Sequence, residues 1–385
     1  MKAPGVRSEE KPRSDSTAVE DRGLALLHDR RRLATAVLTL VLVVVAIYVL
    51  FPAVVGLDDA LERFGDATWY WIAIAVVFTI ASFVAYVALF RGILGGTTDT
   101  ELRRRLDARA SYQITMAGLA ATRIFSAGGA GGIALTYWAL RRAGMERRRA
   151  ACRMVAFLAV LYLVYLSALV VFGVLLRTGV LPGENPVGGT IVPAAVAAVV
   201  LVIIGLVALI PGDIERRLQR MRRHRRLTHV AARFATGPAT VATGIRTAID
   251  YVRRPRRGAL AFGGAVGFWG SNICVLWASF EAFGGDVPFA VIVQGFFVGM
   301  VANLIPSPAG GVGTVDAGMI AAFLLFGLTS SLVFPAVLVY RVMAFWLPIP
   351  PGIVAYIQLR RTAARWEAEA QGGYTIQSEV TERVT

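Results

Sequence analysis

At 385 residues, with 56% hydrophobic residues and a mean hydropathy of +0.62, the chain is too apolar to be a water-exposed globule. Its net charge of +15 raises nucleic acid as a partner, but thirteen arginines crowd into 216–257 and no stacking aromatics are interleaved with those of 216–226, so no nucleic acid is expected. The sequence has no Walker loop, paired-carboxylate set, nucleophile–base set or metal cluster, so neither catalysis nor a cofactor is expected.

Residues 1–29 are polar and mixed in charge, which predicts a disordered cytoplasmic tail. Arg30, Arg31 and Arg32 then precede an uncharged run, 33–55, and the positive-inside bias puts this end in the cytoplasm. The run is too long for a signal-peptide core and is expected to remain as a first span. Asp58, Asp59, Glu62 and Asp66 follow on the far side. A second run, 69–90, returns to Arg91, Arg103, Arg104, Arg105 and Arg109. With 154–176, 191–210 and 259–280, five runs of 20 to 23 residues contain no Asp, Glu, Lys or Arg. At about 1.5 Å per residue, each crosses a hydrocarbon core of roughly 30 Å.

Residues 110–140 behave differently. A short apolar piece, 112–121, meets the break 126–132, which holds Gly128, Gly129, Gly131 and Gly132, and a second short piece runs to Leu140. Arg109 stands before it and Arg141, Arg142, Arg147, Arg148 and Arg149 after it, so both ends belong to the cytoplasm. Two half-helices returning to one face make a re-entrant hairpin, tolerated where protein or a water-filled cavity shields its backbone.

The next span leads outward past Glu184, and 191–210 brings the chain back to the basic stretch 211–257. That stretch predicts a surface helix with Leu218, Met221, Leu227, Val230 and Phe234 as its apolar side. After 259–280 the pattern recurs: apolar 287–305, a break at 306–314 with Gly310, Gly311 and Gly313, and a second piece, 316–326. The last span, 332–357, ends at Arg360, Arg361 and Arg365, hence inside, so the second hairpin starts and ends outside.

The fold class expected is therefore an all-α integral membrane protein of the cell (inner) membrane. It has six full transmembrane helices plus two re-entrant, glycine-broken hairpins, with both termini cytoplasmic. The halves, 30–180 and 181–362, form an inverted repeat, and 363–385 is a second disordered tail. Eight ordinary spans with glycine kinks are the competing arrangement. Broken apolar segments at matching positions of two halves point to a transporter's substrate site.

Charges inside hydrocarbon are expensive, so Arg123, Asp316 and Arg341 (next to Tyr340) each need a partner or a task. Asp316 and Arg341 either lock the second hairpin to the last helix or contact substrate. Arg123 has no acidic neighbour in its own half, and a phosphate group suits its guanidinium. The two glycine clusters let backbone N–H groups approach a ligand, and Asn303 stands at the same depth. Gln113, Thr122, Thr136, Gln294, Ser307 and Thr314 are the other polar neighbours. Cys152 and Cys274 read as small buried hydrophobes, and His28, His224 and His229 show no metal-ligand spacing.

Residues 306–317, PSPAGGVGTVDA, with the later Tyr340-Arg341 and Trp346-Leu347-Pro348, resemble the lysylphosphatidylglycerol synthase transmembrane-region family. The GGAGG of the first half, followed by Leu140-Arg141-Arg142-Ala143-Gly144, looks like that family's other glycine motif. The resemblance covers about 30–362 and implies a flippase-like fold related to the part of multiple-peptide-resistance proteins that moves aminoacylated phosphatidylglycerol. Asp316 then takes the place of a usual Glu and Arg341 that of the Arg in Tyr-Arg. Val315 replaces a common Arg, and Ile133 stands where an acidic residue often follows the first glycine pair. With no aminoacyl-transferase domain in its 385 residues, the chain is not expected to make lysylphosphatidylglycerol by itself.

The function expected is movement of a phosphate-containing glyco- or aminoacyl-lipid between leaflets, with membrane lipids as partners. A second reading makes the chain a non-transporting scaffold for a glycosyl- or aminoacyl-transferase partner docked on 211–257. A third makes it a lipid transferase with Asp316 as base.

Overall fold

An apolar stretch closed by Arg91 becomes α1, Trp69–Leu94, the first element of the computed structural model, which describes residues 67–94, 99–124, 130–209, 241–251, 253, 255–304 and 311–384. The expected first span, 33–55, the tail before it and the arginine-dense 216–234 lie outside these residues. Two short polar links start the next helices by capping. Asp99 Oδ1 accepts from the N–H groups of Glu101 and Leu102, opening α2, Thr100–Arg105. Asp107 Oδ1 accepts from Ala110 N–H at 2.7 Å and opens α3, Ala108–Ile124.

Then come α4, Ala130–Arg142; α5, Arg147–Arg177; α6, Ile191–Leu209; a helical stretch 241–251; and α7, Pro255–Ala282. α8, Phe289–Met300, tightens into a 3₁₀ turn, Val301–Leu304, before α9, Thr314–Leu325. α10, Ser330–Arg341, passes through a π-helical turn, Val342–Trp346, into α11, Ile349–Val384. Every regular element among the described residues is helical.

Among the described residues, five helical stretches are long and apolar enough to cross a membrane: Trp69–Leu94, Arg147–Arg177, Ile191–Leu209, Gly258–Ala282 and Ser330–Glu369. Their outer faces are apolar as lipid requires. In α6 only Ala194 and Ala197 are buried, while Val196, Val199, Val202 and Leu206 are exposed. α1 and α7 lie together at backbone distance. A Cβ on Gly92 would stand 2.5 Å from the Ala261 nitrogen, and one on Gly264 would strike Leu89. Small residues at such crossings permit the van der Waals contact that holds helices together in lipid.

α3 is 17 residues long, at the lower end of the roughly 17–25 that a crossing needs, while α4 has 13 and α8 and α9 have 12 each, too few to cross. α3 packs on α4 where Gly118 faces Gly132, and on α11 where Gly352 faces Ala120. α8 packs on α9 where Gly299 and Gly318 remove the side chains that would keep the backbones apart. The two pairs belong to different apolar clusters. α8 and α9 sit with α1, α5, α7 and α10, around Phe280, Phe296, Phe297 and Phe323. α3 and α4 sit with the C-terminal end of α1 and with α11, around Ile114, Met116, Leu140 and Leu359.

One sequence expectation needs correcting. The polar stretch from 363 reads as a disordered tail, yet α11 continues through it to Val384. Ala363 and Trp366 are buried in the second cluster, and Glu367 and Glu369 form ion pairs with Arg142 and Arg105. Apolar residues at helical spacing within a polar segment find a docked partner here.

Candidate functional site

The last span leaves α-helical hydrogen bonding over Val342–Trp346 for a reason that can be read from its prolines. Pro348 has no N–H, so the carbonyl of Ala344, four residues earlier, receives no helical hydrogen bond from it. The chain instead widens into a π turn, in which Leu347 N–H reaches back to Val342 O at 3.0 Å. The freed Ala344 carbonyl accepts from Arg123 Nη2 at 2.7 Å, across 221 residues of sequence. Arg123 Nη1 also donates to Leu119 O in its own helix. Its Nε is buried and has no hydrogen-bond partner among the described residues. No carboxylate among the described residues faces it.

Asp316 and Arg341 do meet. Arg341 Nε lies 2.5 Å from Asp316 Oδ1, and both residues are under 10% exposed. Asp316 Oδ2 accepts from Gly313 N–H at 2.8 Å, so the carboxylate also caps α9 at its third residue. Arg341 Nη2 donates to Gly311 O at 3.1 Å. Gly311 and Gly313 have φ of 93° and 84°, which a side chain tolerates poorly, so the turn that offers these groups needs glycine. Two ends of one turn are thus stitched to α10. The Phe345 ring lies against both guanidinium groups, 4.9 Å from that of Arg341 and 5.8 Å from that of Arg123.

These groups border a cavity of about 330 Å³. Its wall takes Arg123 and Thr122 from α3, Gly132, Ile133 and Thr136 from α4, Asn303 and Gly311 from the second broken pair, and Tyr340, Arg341 and Phe345 from the last span. Of the residues singled out in the sequence, Arg123, Gly132, Asn303, Gly311, Tyr340 and Arg341 line it. Gly131, Gly313 and Asp316 do not, and Gly128, Gly129 and Gly310 lie outside the described residues.

Other wall residues escape a reading of the sequence. Arg153 donates to Ile93 O and to the Tyr251 hydroxyl, both at 2.5 Å. In the sequence it is indistinguishable from any interfacial arginine before a span. Asn272, 9% exposed, donates to Phe268 O from inside an uncharged run, and a lone amide there was the available signal. Tyr86, Thr115 and Trp269 join the wall with no local mark.

A family model described as the lysylphosphatidylglycerol synthase TM region matches residues 24–352, most of the chain. A UPF0104 membrane protein of Methanothermobacter thermautotrophicus is 31% identical over 101 residues, 26% of this chain and 30% of that relative. The match thus spans less than a third of the relative's length.

Proposed function

The chain belongs to the lysylphosphatidylglycerol synthase transmembrane-region family, and we propose that it is a flippase-like lipid transporter of the cell membrane that carries a phosphate-bearing headgroup between leaflets. The observation that carries this reading is the shared cavity: residues of both glycine-broken helix pairs, nearly two hundred positions apart, form one wall around about 330 Å³. That volume falls within the range of small-ligand sites.

In this reading α3–α4 and α8–α9 are re-entrant hairpins that dip in from opposite faces, within an inverted repeat of six full spans. Both termini are cytoplasmic. The headgroup rests between the hairpins while the tails stay in lipid, and rocking of one half against the other alternates access. Arg123 receives the phosphate, since it alone of the three intramembrane charges singled out in the sequence has no carboxylate beside it among the described residues. Asp316 and Arg341 hold the second hairpin to the last span. The chain binds and moves its lipid and remakes no bond.

The test is reconstitution of the full chain in vesicles containing fluorescent phospholipids. Inner-leaflet fluorescence that survives dithionite in empty vesicles is expected to be lost with the protein present. Arg123→Gln is expected to slow that loss markedly. Unchanged protection across several lipid classes would overturn the transporter reading.

A further inference from the structure

Among the described residues, three guanidinium groups, those of Arg123, Arg153 and Arg341, line the cavity, and no carboxylate does. Asp316 is outside the wall, its oxygens turned to Arg341 and to the Gly313 N–H. The flanking segments 125–129 and 305–310 contain no acidic residue either. Ile133, in the first turn of α4 directly after Gly131 and Gly132, contributes a methyl surface to the wall. The remaining polar wall groups are neutral: Thr115, Thr122, Thr136, Asn272 and Asn303 among them. A headgroup ammonium placed here meets the unmatched charge of Arg123 and finds no carboxylate among the described wall residues, the nearby Asp316 being already committed to Arg341. A phosphate meets the reverse.

The rim is equally informative. Ile133 and Tyr162 line the cavity and are also 44% and 46% exposed, so the cavity opens between α4 and α5. α5 is itself long and apolar enough to cross a membrane, and the half-exposed Tyr162 stands on its outer surface. An apolar opening on such a face suits a molecule whose polar end is inside and whose chains remain in the bilayer.

Resting on the transporter reading, we propose that this cavity selects lipids whose headgroup is net anionic and carries no ammonium group, with the chains leaving past Ile133 and Tyr162, and that it rejects aminoacylated lipids.

The test is equilibrium binding to the full chain in uncharged detergent, with three probes: phosphatidylglycerol, lysylphosphatidylglycerol and water-soluble glycerophosphoglycerol. Phosphatidylglycerol is expected to bind tighter than its lysyl ester by about tenfold or more, the scale of one charge-assisted hydrogen bond gained or opposed. Arg123→Glu is expected to reverse that order. Ile133→Trp is expected to weaken phosphatidylglycerol while sparing glycerophosphoglycerol. Equal binding of the two lipids by the unmodified protein, or preference for the lysyl ester, would overturn the selectivity without any variant having to fold. Should glycerophosphoglycerol bind as tightly as the lipid, and Ile133→Trp alter neither, the ligand is a free phosphate ester and the lipid assignment falls. Anion-selective binding with no lipid movement in vesicles upholds this selectivity and removes the transporter reading. Movement of both lipids at one rate does the opposite.

Discussion

Arg123 is held by two carbonyls, one in its own turn and one from the π turn of the last span, and neither cancels its charge. Its place in the cavity wall makes it the residue whose chemistry and position separate most cleanly. Arg123→Lys keeps the charge but loses the planar fork, so binding of an anionic lipid is expected to weaken several-fold while Arg123→Gln weakens it further. Equal affinity for both variants, measured by lipid titration, would mean that the guanidinium plays no part. Asp316 belongs to a different category. Asp316→Asn leaves the buried Arg341 without its counter-charge, and a stability loss of about 3–5 kcal/mol is expected in detergent thermal unfolding. Adding Arg341→Gln should recover part of that loss, because it removes the uncompensated charge. If the single variant melts like the parent, the pair is no lock.

The π turn in the last span links two short helix pairs that share no apolar cluster. α10 is tied to the α9 end through Arg341, Asp316 and Gly311, while α11 is tied to α3 through Thr362, Gln358 and Gln113. Between them lies the π turn, whose spare carbonyl Arg123 takes. Pro348→Ala supplies an N–H that can reclaim Ala344 O, straighten the turn and displace Arg123. Lipid binding is expected to fall without loss of secondary structure, read by titration beside circular dichroism; unchanged binding would show that the turn is passive. The short pairs depend on close backbone approach in the same way. A side chain at Gly132 would collide with Thr122 and the Gly118 carbonyl, so Gly132→Val is expected to separate α3 from α4 and lower the melting temperature.

For the molecule as a whole, charge at the helix ends sets the orientation. Arg109 and Arg141 flank the α3–α4 pair, and Asp286 and Thr329 flank the α8–α9 pair. In a cysteine-substituted chain, positions 109 and 141 are expected to react with an impermeant reagent only from the cytoplasmic side, and 286 and 329 only from outside. Labelling of 286 and 329 from opposite faces would turn that pair into a full crossing and undo the inverted arrangement.

Membrane residence, the helical class and the two interrupted segments were legible in the residues themselves. Long uncharged runs and glycine clusters are local patterns, and hydrocarbon allows them few structural solutions. The Asp316–Arg341 pairing was legible as one of two alternatives, because intramembrane charges must be matched. The wall of the cavity was decided only by tertiary structure. Arg153, Asn272, Tyr86 and Trp269 reach it because α1, α5 and α7 cross there, and crossing geometry depends on which side chains interlock rather than on any local spacing. The same holds for the bond from Arg123 to Ala344 and for Trp366 docked beneath the first pair. In each, the partner that gives a residue its meaning stands more than two hundred positions away or on another helix, and only folding brings the two together.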